Sequence, residues 1–74
     1  MTTLHRQDPT ANCFRFWGVE VGPDLFGTWC VTRRWGRIGT GGQSRIASHE
    51  SQASARASAE RLEAAKRRRG YRGA

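Results

Sequence analysis

Residues Thr32, Arg33, Arg34, Trp35, Gly36, Arg37, Ile38 and Gly39 place a large aromatic between cations and beside a glycine, in a run that otherwise reads as a β-strand. Tryptophan offers a flat apolar face that can stack on a sugar or base. Arginine offers five donors in a fork that fits phosphate oxygens. Gly36 has no side chain, so a ligand backbone can approach closely there, and glycine inside a strand rarely serves stability. This set is suited to holding a polyanion. It is not suited to catalysis: there are no paired carboxylates, no metal-ligand set and no activated nucleophile. Cys13, Cys30, His5 and His49 lack metal-ligand spacing. Gly39, Gly41 and Gly42 lack the Lys and Ser/Thr that complete a Walker loop, and no Ser stands in a nucleophile motif. A non-enzymatic module without metal or cofactor is expected.

Composition points the same way. The net charge is +7, from 13 Lys+Arg against 6 Asp+Glu, and Lys66 is the single lysine. A balance this basic favours a polyanionic partner, with nucleic acid the leading candidate. A genome rich in GC would also enrich arginine over lysine, but it does not account for the net charge. Seventy-four residues make one small domain, burying only about 60% of its unfolded surface. No apolar run approaches the roughly 20 residues of a membrane span. The first 12 residues carry no apolar h-region, so no signal peptide is expected. A cytoplasmic protein with both cysteines reduced is expected.

The elements that must position these residues follow from pattern. Residues 1–11 are polar and contain Pro9, which reads as a disordered leader. Residues 12–21 mix aromatic and β-branched side chains and read as a strand, with Gly18 marking a bulge. Gly22, Pro23 and Asp24 signal a turn, and Leu25, Phe26 and Gly27 lead into the next strand. Residues 28–38 are the clearest strand: Trp29, Val31, Arg33, Trp35 and Arg37 share one face, and Cys30, Thr32, Arg34, Gly36 and Ile38 the other. Residues 39–42 suit a hairpin, and 43–49 a third, antiparallel strand. Ser51 is placed as an N-cap, and 52–69 as a helix with Ala55, Ala59, Leu62 and Lys66 on one face. Basic residues at 66–69 suit the helix dipole, and Gly70 suits the C′ position, so that Tyr71 folds back onto the helix end.

In this order, the parts resemble the WGR domain family. The residues that carry the likeness are Trp35-Gly36-Arg37, continuing through Ile38-Gly39-Thr40-Gly41-Gly42-Gln43. Upstream are Val19-Glu20-Val21 and Asp24-Leu25-Phe26-Gly27; downstream are Leu62-Glu63 and the stretch from Ala65 to Tyr71. The resemblance covers about residues 12–72 as one WGR-like domain. It implies an α+β fold, a small antiparallel sheet packed on one C-terminal helix. In the DNA-dependent poly(ADP-ribose) polymerases the family's domain lies beside a DNA break, its motif tryptophan stacking at a strand terminus and basic residues contacting the backbone. The resemblance implies that Trp35 stacks and Arg37 holds phosphate or sugar. In those enzymes the domain also bridges to a catalytic domain; the residues here contain none, so transferase activity is not expected.

Each candidate also has a plainer role. Trp35 is either a stacking platform or a core residue; Trp17 and Trp29 read as core. Trp29 shares a face with Trp35, so one cannot be fully buried and the other fully exposed without a twist or bulge. Arg33 and Arg37 lie on the face of Trp35, Arg34 points away, and Arg45 on the neighbouring strand can join across the ladder. Any one of them could serve solubility alone. The glycines at 39–42 could cradle phosphate or simply supply positive φ to a hairpin. Lys66, Arg67 and Arg68 are either a second phosphate contact or a solvated helix end. The expected function is a nucleic-acid-binding module, DNA rather than RNA, at ends or breaks. Its candidate residues are Trp35, Gly36, Arg37, Arg33, Arg34, Arg45, Lys66, Arg67 and Arg68. The alternative is a protein-interaction module that docks an acidic partner domain, since Trp and Arg also dominate protein hot spots.

Overall fold

The computed structural model describes residues 2–73. A strand β1 (Thr2–Asp8) leads through a short 3-10 turn (Pro9–Ala11) into β2 (Cys13–Pro23), then β3 (Trp29–Arg37) and β4 (Gln43–His49). A helix α1 (Gln52–Arg68) follows, and a two-residue strand β5 (Arg72–Gly73) ends the described chain. The strands form one antiparallel sheet in the order β4-β3-β2-β1-β5. The helix leaves the β4 edge, crosses one face of the sheet and delivers β5 to the far side of β1. The fold is α+β, as the pattern and the resemblance imply.

Local chemistry explains most boundaries. Ser51 caps the helix, its hydroxyl accepting from the Ser54 N–H at 3.1 Å. Gly70, at φ 96°, ends it. Its N–H bonds the Arg67 carbonyl and the Tyr71 N–H bonds the Lys66 carbonyl, both at 3.1 Å, the paired bonds of a Schellman stop. Ala55 and Ala59 are buried and Leu62 packs beside them. With small side chains at Ala55 and Ala59, the first half of the helix can sit close to the sheet. Tyr71 folds back into the core, together with Leu4, Trp17, Val19 and Val31. Trp29 and Trp35 are each half-buried against that core, and Trp17 alone of the three tryptophans is fully enclosed.

Three expectations are corrected. Residues 1–11 are not a disordered leader over their described part: Thr2–Asp8 pairs with β2 along its whole length, and Leu4 is fully buried. Met1 lies outside the described residues. The strand has a single large apolar residue, so it shows no alternation, yet it completes the free edge of β2 and places Leu4 opposite Trp17. Second, Gly18 is not a bulge; it pairs in unbroken register with Thr3 and Arg34. An added Cβ there would lie 3.4 Å from the Thr2 carbonyl oxygen. Third, the turn signalled at Gly22, Pro23 and Asp24 begins later: Gly22 and Pro23 still pair with β3, the chain turns over residues 24–28, and Leu25 and Phe26 project from that turn into solvent.

Candidate nucleic-acid interface

Register, more than sequence proximity, assembles the site. Residues opposite one another in an antiparallel ladder project to the same face. On the face that carries the helix, Arg6 lies opposite Arg15, and Arg15 opposite Arg37, so three arginines form one row across β1, β2 and β3. The next row on that face is Leu4, Trp17, Trp35 and Gln43. The row after it holds Val19, Arg33 and Arg45. An aromatic row is thus flanked on both sides by arginines facing arginines.

Above these rows lies the last turn of the helix. An open groove of about 500 Å³ is lined by Arg6, Arg15, Arg37 and Lys66, together with Phe14, Phe16, Trp35, Gly36 and Tyr71. Among the described residues no carboxylate lines it. Trp35 also walls a smaller recess of about 160 Å³ with Trp17, Arg33, Leu62 and Lys66. The Arg37 guanidinium lies 5.9 Å from the centroid of Phe14, and the Lys66 ammonium 5.2 Å from that of Tyr71. These stacked contacts hold the cations while leaving their donors open. Among the described residues the one ion pair is Arg67–Glu63, at 3.1 Å along the helix. Asp8, beyond Arg6 on the same face, uses its carboxyl to accept from the Ala11 N–H at 3.4 Å.

Lys66 reports the crowding of positive charge. Burial, then Arg69, Arg33 and Arg15, lower its ammonium below the usual 10.5. The folded state therefore binds fewer protons at Lys66 than the unfolded chain as the pH approaches 10.5. The strain is present at neutral pH and is relieved as Lys66 deprotonates, so this residue makes stability rise with alkaline pH. Replacing it by Met removes that rise. Urea unfolding of both forms at about pH 8 and about pH 10 checks this. The same lowering means that a bound anion would gain from Lys66 as its charged form regains a partner.

The named candidates divide. Trp35, Gly36, Arg37 and Lys66 meet in the groove. Arg33 sits in the adjoining recess, and Arg45 faces Arg33 from the edge strand, exposed. Arg34 is on the other face, where it donates to the Gly41 carbonyl at 2.8 Å and ties down the hairpin. Arg67 is engaged by Glu63, and Arg68 is exposed in the last turn, outside the groove lining. Gly36 has a different occupant from the one its lack of a side chain suggests. A Cβ there would meet the Gly42 Cα at 2.8 Å and Phe16 at 3.4 Å, so the hairpin backbone fills the space. Gly39 and Gly42 take positive φ in that hairpin, as a turn requires.

Sequence reading names neither Arg6 nor Arg15. Arg15 had a signal: it alternates with Trp17 and Val19 on its strand, as Arg37 alternates with Trp35. Arg6 had none once its strand was read as a leader.

Comparison with known proteins places the chain. A family model described as the WGR domain matches residues 1–74. The chain is similar to y4dW, an uncharacterized protein of Sinorhizobium fredii (strain NBRC 101917 / NGR234), at 39% identity over 69 residues. That match covers 93% of this chain and 34% of the relative, so the chain spans about a third of that protein's length. No solved structure matches. With the family model spanning every residue, and Trp35, Gly36 and Arg37 together on the strand that forms one wall of the cationic groove, the chain belongs to the WGR domain family.

Proposed function

We propose that this domain binds nucleic acid, DNA in particular, at strand ends or breaks, through the groove formed by Arg6, Arg15, Arg37, Lys66 and Trp35. The observation that carries this reading is the pair of like-charged rows. Like charges directly opposite in a ladder destabilise a sheet, and here Arg6, Arg15 and Arg37 face one another with no carboxylate among the described residues within ion-pair distance. Folding gains nothing from that arrangement, whereas a phosphate backbone neutralises it and releases counterions. Membership of the WGR family is consistent with a nucleic-acid-binding module.

The preference for ends follows from Trp35. It is half-buried and held by Trp17 across the ladder, so it offers a fixed, partial surface rather than a side chain free to insert. A fixed surface suits a terminal sugar or base, which is already unstacked on one side. The environment of Trp35 supports this reading over the docking of a broad apolar partner face. A flat apolar patch would favour a protein partner; Trp35 instead stands between recesses lined by separated cations. Among the described residues no helix is long and apolar enough to cross a membrane.

Trp35→Ala should cost about 2 kcal/mol of binding to a blunt duplex if the ring stacks. Fluorescence anisotropy reads the affinity, and circular dichroism checks that the fold survives. Unchanged affinity in a folded variant would remove the stacking role.

A further inference from the structure

The groove has a counterpart at the opposite end of the same molecule. The sheet is elongated, within extents of 44 × 23 × 15 Å. Arg15, near the start of β2, and Pro23, at its end, are roughly 26 Å apart at the rise of an extended strand. Beyond Pro23, the turn to β3 presents Leu25 at 100% exposure and Phe26 at 91%. Neither contributes to the core. Single exposed apolar residues are ordinary, but two adjacent ones with almost no burial leave apolar surface that folding does not use.

This turn is built to hold that surface still. The Asp24 Oδ1 accepts from the N–H groups of Phe26 at 2.8 Å and Thr28 at 3.0 Å. The Asp24 N–H donates to the Thr28 carbonyl at 2.9 Å, and the Gly27 N–H to the Asp24 carbonyl at 3.1 Å, with Gly27 at φ 81°. Oδ2 of Asp24 has no hydrogen-bond partner among the described residues. Ordering cost on docking is therefore small. The charge at this end is also reversed. Glu20 and Asp24 line a recess beside the turn that contains no cation, and Glu50 follows His49, which lies in the row of Trp29 and Pro23.

We propose that the Leu25-Phe26 turn of one copy seats in the cationic groove of a second copy, head to tail. The chemistry matches part by part. The turn brings an aromatic ring, an aliphatic side chain and a carboxylate oxygen. The groove offers Phe14 and Trp35 for the apolar pair, and Arg15 and Arg37 for the carboxylate. Arginine also stacks on an aromatic face, which suits Phe26. The net charge of +7 repels two copies at long range, but screening over about 8 Å at physiological salt leaves the local, opposite charges to decide the contact. The interface is heterologous: each pairing leaves one free turn and one free groove, so association continues into longer chains instead of closing at two. Contact through one turn is small, in the class of weak and transient interfaces. The turn occupies the groove assigned above to nucleic acid, so the two partners exclude one another; self-association itself does not depend on that assignment.

The test is sedimentation of the protein alone, without nucleic acid, up to about 1 mM, the range in which a weak contact shows. The wild-type chain should show a weight-average mass that climbs with concentration. Leu25→Ser/Phe26→Ser should remain monomeric, as should the groove variant Arg15→Glu/Arg37→Glu. An equimolar mixture of the two variants, one supplying a working groove and the other a working turn, should form a one-to-one dimer and nothing larger. A wild-type mass fixed at the monomer throughout overturns the proposal. So does a turn variant that associates as strongly as wild type, and its substitutions lie on fully exposed side chains that the fold does not need.

Discussion

Gly42→Ala should lower the unfolding free energy by about 3 kcal/mol. Two causes add. Gly42 sits at φ 69°, a conformation that side-chain-bearing residues rarely adopt, at a cost of about 1 kcal/mol. A Cβ at Gly42 would also press on the Trp35 carbonyl oxygen and lie 2.8 Å from Phe16, and such overpacking costs typically 1–3 kcal/mol. Neither neighbour yields easily: one is backbone of β3, the other an aromatic on β2. A domain of this length holds only about 4–11 kcal/mol in total. The midpoint of thermal unfolding should fall by roughly 12–24 °C, read by circular dichroism. Gly39→Ala makes the contrast. Gly39 also has positive φ, at 93°, but open space around it, so only the backbone cost of about 1 kcal/mol is expected. Equal effects at the two positions would show that the packing of Gly42 on Gly36 and Phe16 is not what holds the hairpin.

The second large effect is on binding. Arg15→Gln/Arg37→Gln should weaken duplex binding by about 3 kcal/mol, roughly 150-fold, at two charge-assisted contacts. Four groove cations each neutralising a phosphate give a log–log salt slope of about −3.6 on duplex DNA. Removing two should bring it to about −1.8. Arg56→Gln/Arg61→Gln removes the same charge from exposed helix positions outside the groove. If net charge alone governed binding, both pairs would behave alike. The groove account has the helix pair leave the slope almost unchanged. Arg15 carries the weight of this comparison because it stands in the middle of the arginine row and beside Lys66.

Much of the architecture was legible in the chain because it rests on local chemistry. The strand around Trp35 alternates cleanly, the β3–β4 register follows from a short glycine-rich hairpin, and the helix begins at Ser51 and stops at Gly70 as capping rules require. The first strand was not legible, because Thr2–Asp8 has one buried apolar residue and its pairing is decided by a partner remote in sequence. That single miss hid Arg6 and, with it, the arginine row. Gly36 shows a subtler limit. Its lack of a side chain signals a close approach, but sequence does not say by what, and the visitor is Gly42 of the chain's own hairpin. Arg34 and Arg67 illustrate the same point for charge: each reads as a free cation, and each is engaged, one by the Gly41 carbonyl and one by Glu63. The half-buried state of Trp35 lies between the two roles its position allowed, packed on one side and bordering the groove on the other.

The central claim is that the groove recognises ends of nucleic acid through Trp35. The most direct measurement is a titration against blunt duplex, nicked duplex, closed circular duplex and single strand at two salt concentrations, following tryptophan emission and labelled-duplex anisotropy, with the circle as an unlabelled competitor. Tighter binding to ends and nicks is predicted, with quenching that disappears in Trp35→Phe while the salt dependence remains. Equal, weak and salt-sensitive binding to every form, without quenching, would contradict it and leave only nonspecific charge.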